Sequence, residues 1–168
     1  MPDKNNRILA HQQIQSKIKR MAYQILENNL HEQNIYLAGI KGGGSTLAKL
    51  LQLELTAINS IETVLIEVSI DKEKPLSSPV TLNKEIENPE NSIVILIDDV
   101  LNSGKTMAYA LKPFLAIPLK KIETAFLVNR SHRLFPISAK YTGIELATTI
   151  QEHINVSWKE NDYTVFLV

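Results

Sequence analysis

The spacing of apolar side chains changes along the chain, and each change marks a different kind of secondary structure. Between residues 11 and 29 apolar positions recur every three or four residues, which predicts an amphipathic helix. Its apolar stripe consists of Ile14, Ile18, Met21, Ala22, Ile25 and Leu26. The segments 35–40, 93–97 and 121–128 are almost continuously apolar, a pattern typical of strands buried on both faces of a parallel sheet. Residues 62–70 alternate, which predicts a strand with one apolar face.

Shorter patterns occupy the rest of the chain. Helical patterns follow two of the apolar runs, at residues 45–51 and from residue 106 onward. Residues 71–91 are charged and proline-rich without a sustained period, which predicts a loop that holds a short strand near residues 79–82. Three late segments are typical of short strands: 141–146, 154–158 and 163–168. Strands and helices in this order predict an α/β fold, in one domain over residues 1–168.

The composition limits the class of protein. A chain of 168 residues suffices for one domain that buries about two thirds of its unfolded surface. It has no cysteine and no run of membrane-spanning length, and its first residues do not resemble a secretory signal. We therefore expect a soluble cytoplasmic protein with no membrane partner. Basic and acidic residues number 18 each, so only a local basic patch would bind RNA.

The apolar run 93–97 ends in two carboxylates and a small polar turn. Ligands of open parallel sheets bind beyond the carboxyl ends of the strands, and a helix start offers unpaired N–H groups to an anion. The turn and helix start that would cradle a phosphate are Ser103, Gly104, Lys105 and Thr106. Asp98 and Asp99 would repel that phosphate, so they suit the hydroxyls and the divalent metal of the same ligand. The alternative is that the two acids only end a strand and that Ser103 only caps a helix.

A P-loop is a competing interpretation of the same residues. Gly104, Lys105 and Thr106 match the end of a Walker A motif. That motif requires a glycine five residues before Gly104, and this position is Asp99. The sequence therefore excludes a P-loop.

A second glycine-containing turn follows the strand at 35–40. Lys41 and the glycines at 42, 43 and 44 lead into a helix that Ser45 would cap. The exposed N–H groups and the Lys41 charge would suit another anion. A flexible turn without a ligand is the alternative.

Residues 94–106 resemble the phosphoribosyl-pyrophosphate (PRPP) signature of type I phosphoribosyltransferases: an apolar strand, two acids, a few variable residues, then small-Gly-x-Thr. Within that superfamily the chain resembles the pyrimidine operon attenuator and uracil phosphoribosyltransferase family. The residues that carry this closer resemblance lie at 37–41, 129–137 and 139–143. Their order and spacing fit over nearly the whole chain.

The resemblance implies a type I phosphoribosyltransferase fold, with a mainly parallel central sheet flanked by helices and a small hood formed by roughly residues 129–168. It implies transfer of ribose 5-phosphate from PRPP to a nucleobase, with uracil expected, and release of pyrophosphate. Mg²⁺ would be the cofactor and a homodimer the assembly. Two alternatives remain: an RNA-binding regulator of pyrimidine genes, and a nucleotide-binding relative with weak catalysis.

The resemblance also assigns roles to residues. Asp98 and Asp99 would hold the ribose hydroxyls and, through water, the metal. The 5′-phosphate would lie against Asn102, Ser103, Gly104, Lys105 and Thr106. The pyrophosphate would lie against Lys41, Gly42 and Gly43. The base would be received by Asn129, Arg130 and Arg133.

The chain departs from its relatives in three places. Relatives commonly carry Thr-Arg-Gly at positions 42–44 and Asp at the position of Asn129. A mobile flap that begins Tyr-Arg-Asp-Asp in relatives is replaced by residues 69–72 and a shortened segment, so a working lid and a plain loop both remain possible. These departures concern catalytic efficiency and the choice of base rather than the fold.

Two smaller assignments stay open. His132 is either a general acid or base, or a surface residue that forms a hydrogen bond. Lys17, Lys19 and Arg20 form either an RNA-contacting surface or a solvated helix face.

Overall fold

The structure, a computed structural model, describes residues 6–59 and 62–168, so residues 1–5 of the predicted domain lie outside it. Strands and helices alternate along most of the chain. The strands are β1 (Arg7–Leu9), β2 (Asn34–Ile40), β3 (Thr63–Ser69), β4 (Thr81–Leu82), β5 (Ser92–Leu101), β6 (Lys121–Arg130), β7 (Tyr141–Leu146), β8 (Ile154–Lys159) and β9 (Asp162–Leu167). The helices are α1 (His11–Asn28), α2 (Gly43–Asn59), α3 (Lys105–Ala110) and α4 (Lys112–Leu115).

The main sheet has six strands in the order β4-β3-β2-β5-β6-β7. All neighbours run parallel except β4, which pairs antiparallel with β3. Strand β5 lies near the centre, and residues 93–97 are completely buried. Strands buried on both faces have continuous apolar sequences, which is why these runs were recognisable. The predicted α/β fold with a mainly parallel sheet is confirmed.

An apolar layer covers each face of the main sheet. On one face lie α1 and α2, and the predicted stripe of α1 is buried at Ile14, Ile18 and Met21. On the other face lie α3 and α4, with Phe114 completely buried. Within the described residues, no helix has both the length and the apolar character that crossing a bilayer requires.

A second sheet of three antiparallel strands, in the order β1-β9-β8, forms the hood. Its composition differs from the hood expected at roughly residues 129–168. Strand β7 instead joins the main sheet parallel to β6, where the apolar ring of Tyr141 is buried. Strand β1 enters the hood by pairing with β9, and three residues are too short for a recognisable pattern.

Several element boundaries also differ from the predicted ones. Strand β5 does not end at its two acids but continues to Leu101, because Asp98 and Leu101 remain paired with β6. Helix α2 begins at Gly43 rather than at Ser45. The segment 71–91 is mostly loop, and it contains β4 where a short strand was predicted.

Candidate functional site

Two strand-turn-helix connections meet at the carboxyl edge of the main sheet. Strands β2 and β5 are neighbours, and Gly39 pairs with Ile97 near their ends. The turn after β2 leads into α2, and the turn after β5 leads into α3. At Gly44 an added Cβ would lie 2.5 Å from the carbonyl oxygen of Ile97, so the two connections are in contact. The two predicted anion-binding turns therefore lie side by side.

The turn after β5 encloses a cavity of about 50 Å³. Its lining consists of Asp98, Val100, Leu101, Asn102, Ser103, Gly104, Lys105, Thr106 and Met107. Gly104 has a φ of +85°, a left-handed conformation that suits glycine. The Ser103 hydroxyl accepts a hydrogen bond from the Lys105 amide at 3.3 Å. The small volume and the hydroxyl and ammonium groups of Ser103, Lys105 and Thr106 in the lining fit a phosphate group.

This turn rests on the segment that follows β6. The carbonyl oxygen of Ser103 accepts hydrogen bonds from the amides of Leu134, at 2.9 Å, and Phe135, at 3.0 Å. A Cβ added at Gly104 would lie 3.2 Å from Ile137 and from Phe135. The phosphate-sized turn (residues 102–106) is thus supported by contacts with residues distant in sequence.

Asp98 is a buried carboxylate, 3% exposed, with a cation at its edge. The Lys72 ammonium lies 3.1 Å from Oδ2 and 3.3 Å from Oδ1. Burial and the neighbouring Asp99 raise the pKa of Asp98 to about 7, although Lys72 acts in the opposite direction. Lys72 belongs to the segment that replaces the flap, and no sequence pattern places it against Asp98.

The raised pKa predicts how Asp98 affects stability. Because the folded protein binds this proton more tightly than the unfolded chain, stability falls as pH rises from about 4 to about 7. We expect Asp98→Asn to unfold like the wild type near pH 4 and to be more stable by about 2–3 kcal/mol at pH 8. Urea denaturation at both pH values measures this difference. An equal or lower stability of the variant at pH 8 would contradict the prediction.

Asp99 has a donor on each carboxylate oxygen. Its Oδ1 accepts a hydrogen bond from the Val100 amide at 2.9 Å. Its Oδ2 accepts one from the indole Nε1 of Trp158, in the hood strand β8, at 3.3 Å. Trp158 carried no functional signal in the sequence, because its distance to Asp99 depends on how the hood sits over the main sheet.

The turn after β2 has less free space than its three adjacent glycines suggest. Gly42 alone has a positive φ, +102°, and nothing lies within 4 Å of an added Cβ there. At Gly43 an added Cβ would lie 2.0 Å from Oδ2 of Asp99. Lys41 is exposed, and its amide donates to Val68 at 2.9 Å. The cation of this turn is thus Lys41, and a side chain at position 43 would displace the carboxylate of Asp99.

The three residues expected at the base make their contacts within the protein. Arg130 is 3% exposed, and its guanidinium donates to Oδ1 of Asn102 at 3.2 Å and to the carbonyl oxygen of Thr149 at 2.6 Å. It also donates to the Thr148 hydroxyl and the Glu152 carbonyl. Arg133 donates to the side chain of Asn129 and to the backbone oxygens of Asn102 and Arg130. All three brace the turns around the site.

The contribution of Arg130 to the stability of the fold can therefore be measured. We expect Arg130→Met to lower the free energy of unfolding by about 2–4 kcal/mol, because buried carbonyl groups lose their donors. Hydrogen exchange should accelerate at residues 148–152. The matched control is Arg20→Met, since Arg20 is exposed although it also donates to backbone oxygens, those of Thr142 and Gly143. Equal effects of the two substitutions would contradict this role.

Two open assignments become clearer. Nε2 of His132 lies 2.7 Å from the carbonyl oxygen of Thr148, which favours a hydrogen-bonding residue over a general acid or base. Arg20 tethers α1 to β7 through the carbonyls of Thr142 and Gly143, so it is more than part of a solvated face.

A larger cavity of about 610 Å³ lies between the hood and the carboxyl edge of the main sheet. Its lining consists of Lys72, Asp98, Asp99, Val100, Asn102, Thr106, His153, Ile154, Asn155, Val156 and Val168. The sequence did not identify the contribution of β8. The cavity joins both acids and the phosphate-sized turn to the hood.

Strand β8 presents backbone groups at this cavity that have no hydrogen-bond partner among residues 6–59 and 62–168. His153 and Val168 exchange two backbone hydrogen bonds of 2.7 Å, so they form a hydrogen-bonded pair of the antiparallel ladder. Pairs alternate, and the amide and carbonyl groups of Ile154 and Val156 therefore point away from β9. Because β8 is an edge strand, these groups lie at an open edge.

The acids also bear on metal binding. Within residues 6–59 and 62–168 no group of three or more His, Cys, Asp or Glu side chains is placed to hold a metal ion. Mg²⁺ usually keeps several waters and is held by one or two carboxylates together with substrate phosphates. Asp98 and Asp99 fit that kind of site, in which the substrate supplies the other ligands.

Comparison with known proteins gives this arrangement a family. Residues 4–161 match the phosphoribosyl transferase domain. The chain belongs to the type I phosphoribosyltransferases. It is 35% identical to the bifunctional protein PyrR of Haemophilus ducreyi, over 92% of this chain and 90% of that protein. It is 34% identical to the bifunctional protein PyrR of Oceanobacillus iheyensis, over 95% of this chain and 93% of that protein. The family resemblance predicted from the sequence is confirmed.

The fold has solved counterparts as well. A hypoxanthine-guanine phosphoribosyltransferase of Bacillus anthracis superposes with a TM-score of 0.72 at 20% identity, covering 100% of this chain and 99% of that chain. At this identity the likeness concerns the fold alone. The family establishes the class of reaction, a PRPP-dependent pentosyl transfer with PRPP and a nucleobase as substrates.

Proposed function

We propose that this phosphoribosyltransferase transfers ribose 5-phosphate from PRPP to uracil and releases pyrophosphate. The observation that carries the proposal is the meeting of a phosphate-sized turn, two acids and a second anion-binding turn at the adjacent ends of β5 and β2. The choice of uracil rests on the similarity to the PyrR proteins.

The parts of PRPP would lie along this edge in order. The 5′-phosphate would bind in the 50 Å³ cavity, against the amides and hydroxyls of residues 102–106. Asp98 and Asp99 would accept hydrogen bonds from the ribose hydroxyls. The pyrophosphate would lie beside Lys41 and the open turn at Gly42. This order places C1 of the ribose in the larger cavity, beneath the hood.

In the reaction the C1–O bond to pyrophosphate breaks, a C1–N bond to the base forms, and the base loses its N–H proton to solvent. Positive charge grows on the ribose ring as negative charge leaves with pyrophosphate. Lys41 and the backbone amides of its turn would stabilise the leaving group, while the two acids keep the ribose in line. Asp98 and Asp99 would hold Mg²⁺ through water, where its charge would offset that of the pyrophosphate.

The base would meet the open edge of β8. Uracil presents an N–H group between two carbonyl groups, and the outward backbone groups of Ile154 and Val156 supply complementary donors and acceptors. In this proposal Asn129, Arg130 and Arg133 would support the turns beside the base through the hydrogen bonds they make within the protein. Hypoxanthine carries a similar N–H and carbonyl pair, so the experiment must include purines.

The test is pyrophosphate release from PRPP and Mg²⁺ with uracil, hypoxanthine, guanine, adenine or orotate. Turnover with uracil supports the proposal, and preference for another base overturns the choice of uracil. No pyrophosphate release with any of the five bases, together with calorimetric binding of a uridine nucleotide, would instead support a sensor that has lost catalysis.

A second function deserves its own experiment, because the relatives are named bifunctional. We propose RNA binding as the second activity, on a homodimer in the cytoplasm. The candidate RNA-contacting surface is the basic patch of α1, which includes the exposed side chain of Lys19. Binding to pyrimidine-operon RNA should weaken steeply with salt. Salt-independent or absent binding, or a monomer in sedimentation, would contradict this part of the proposal.

A further inference from the structure

The indole of Trp158 connects the hood to an acid of the site. Trp158 is the only tryptophan of the chain and projects, partly buried, from β8. Its Nε1 lies 3.3 Å from Oδ2 of Asp99, across a sequence separation of 59 residues. An indole nitrogen can only donate a hydrogen bond, and a carboxylate can only accept.

Gly43 is the third member of this contact. A Cβ at position 43 would lie 2.0 Å from Oδ2 of Asp99 and 2.9 Å from Nε1 of Trp158. No other residue type fits there while the indole and the carboxylate stay in place. The first residue of α2, the end of β5 and the hood therefore meet at a single hydrogen bond.

The contact is held on both sides. The other oxygen of Asp99 accepts the Val100 amide at 2.9 Å, so the carboxylate has a donor on each oxygen and a fixed orientation. The indole packs edge-on against Tyr163, with ring centroids 5.4 Å apart. Tyr163 in turn lies 4.7 Å from the ring of His11, at the start of α1. A chain of rings thus supports the indole from outside the site.

We propose that Trp158 is the positioning residue for Asp99. Resting on the function proposed above, it orients this carboxylate toward the ribose hydroxyls of PRPP and makes hood placement a condition of PRPP binding. The backbone edge that would meet the base belongs to the same strand as Trp158. Displacement of the hood would therefore disturb the base position and the Asp99 orientation together.

Two variants separate the hydrogen bond from the ring. Trp158→Phe removes the N–H group and part of the ring. Global replacement of tryptophan by 3-benzothienylalanine changes only position 158 and puts sulfur in place of the N–H group, with nearly the same shape. Because the lost bond involves a charged acceptor, we expect both variants to raise the Kd for PRPP–Mg²⁺ about tenfold and to lower kcat. The melting temperature of the benzothienylalanine protein should stay near that of the wild type.

The single tryptophan also supplies a signal that needs no turnover. Binding of PRPP–Mg²⁺ should change the fluorescence emission of Trp158 in the wild type, because Asp99, which accepts the indole hydrogen bond, would bind the ligand. Gly43→Ala should shift the emission of the free protein, because the added carbon displaces the indole. Gly42→Ala is the matched control and should shift that emission less, since its Cβ meets nothing within 4 Å and only the positive φ opposes it. Tyr23→Phe, on the exposed face of α1, is the control for PRPP affinity.

The outcomes separate the two proposals. If the wild type binds PRPP–Mg²⁺ and removal of the N–H group changes neither its Kd nor kcat by more than about twofold, the role of Trp158 is overturned and the proposed function stands. If the wild type binds PRPP but turns over no base, the Kd values alone decide the role of Trp158. If the wild type does not bind PRPP, the function fails and the role of Trp158 fails with it.

Discussion

Simultaneous replacement of Asp98 and Asp99 by Asn should lower kcat at least about thousandfold while the protein stays folded. Above the pKa of Asp98, the two carboxylates are the only side chains in the proposed ribose position that carry negative charge, among those lining the larger cavity in the described part of the chain. Asparagine keeps the size and can still accept the backbone hydrogen bonds of Asp99 and Val100. The loss would therefore be one of charge and not of packing.

The measurement is pyrophosphate release at saturating PRPP, base and Mg²⁺, with circular dichroism to verify the fold. Glu90→Gln is the matched control, since Glu90 lies in a 3₁₀ turn away from the cavity and also loses one negative charge. We expect it to retain wild-type activity. Double-variant activity within tenfold of the wild type would exclude the proposed role of the acids.

Replacement of Gly39 by Ala should cause the largest loss of stability among the glycine positions of the site. Gly39 lies near the end of strand β2, where an added Cβ would lie 2.6 Å from the carbonyl oxygen of Gly44 and 2.7 Å from the Cα of Ser45. Both are backbone atoms, so relief requires that α2 move away from the sheet. We expect a loss of about 2–4 kcal/mol in the free energy of unfolding, and a melting temperature lower by about 5–15 °C.

Thermal and urea unfolding measure this effect. Gly42→Ala is informative beside it, because its added carbon has open space and only the positive φ opposes the substitution. That strain should cost about 1–2 kcal/mol. If the two variants lose equal stability, conformational strain rather than the close approach of α2 to β2 governs this connection.

The sequence predicted the elements that depend on local patterns. The stripe of α1 and the continuous apolar runs of β2, β5 and β6 follow from burial on one or both faces, which any observer can see in the spacing of side chains. The phosphate-sized turn was also predictable, because small residues, glycine and a helix start stand together in sequence. Predicted boundaries were wrong where pairing with a neighbouring strand lengthens an element, as pairing with β6 lengthens β5 beyond its two acids.

At the predicted base site the structure adds contacts that the resemblance did not imply. Position in the chain put Arg130 at the carboxyl end of a strand, which is where ligands bind. The structure shows that this guanidinium is 3% exposed and that it joins residues 148–152 to Asn102. No sequence pattern distinguishes an arginine that meets a ligand from one that meets distant backbone carbonyls.

By itself, then, the sequence determined the α/β class and the family, because these reside in contiguous residues with recognisable spacing. Only the tertiary structure decided which strands form the hood, that Lys72 faces Asp98, and that Trp158 reaches Asp99. The physical reason is sequence separation. Contacts between segments tens of residues apart depend on how the two sheets pack, and that packing leaves no periodic trace in the chain.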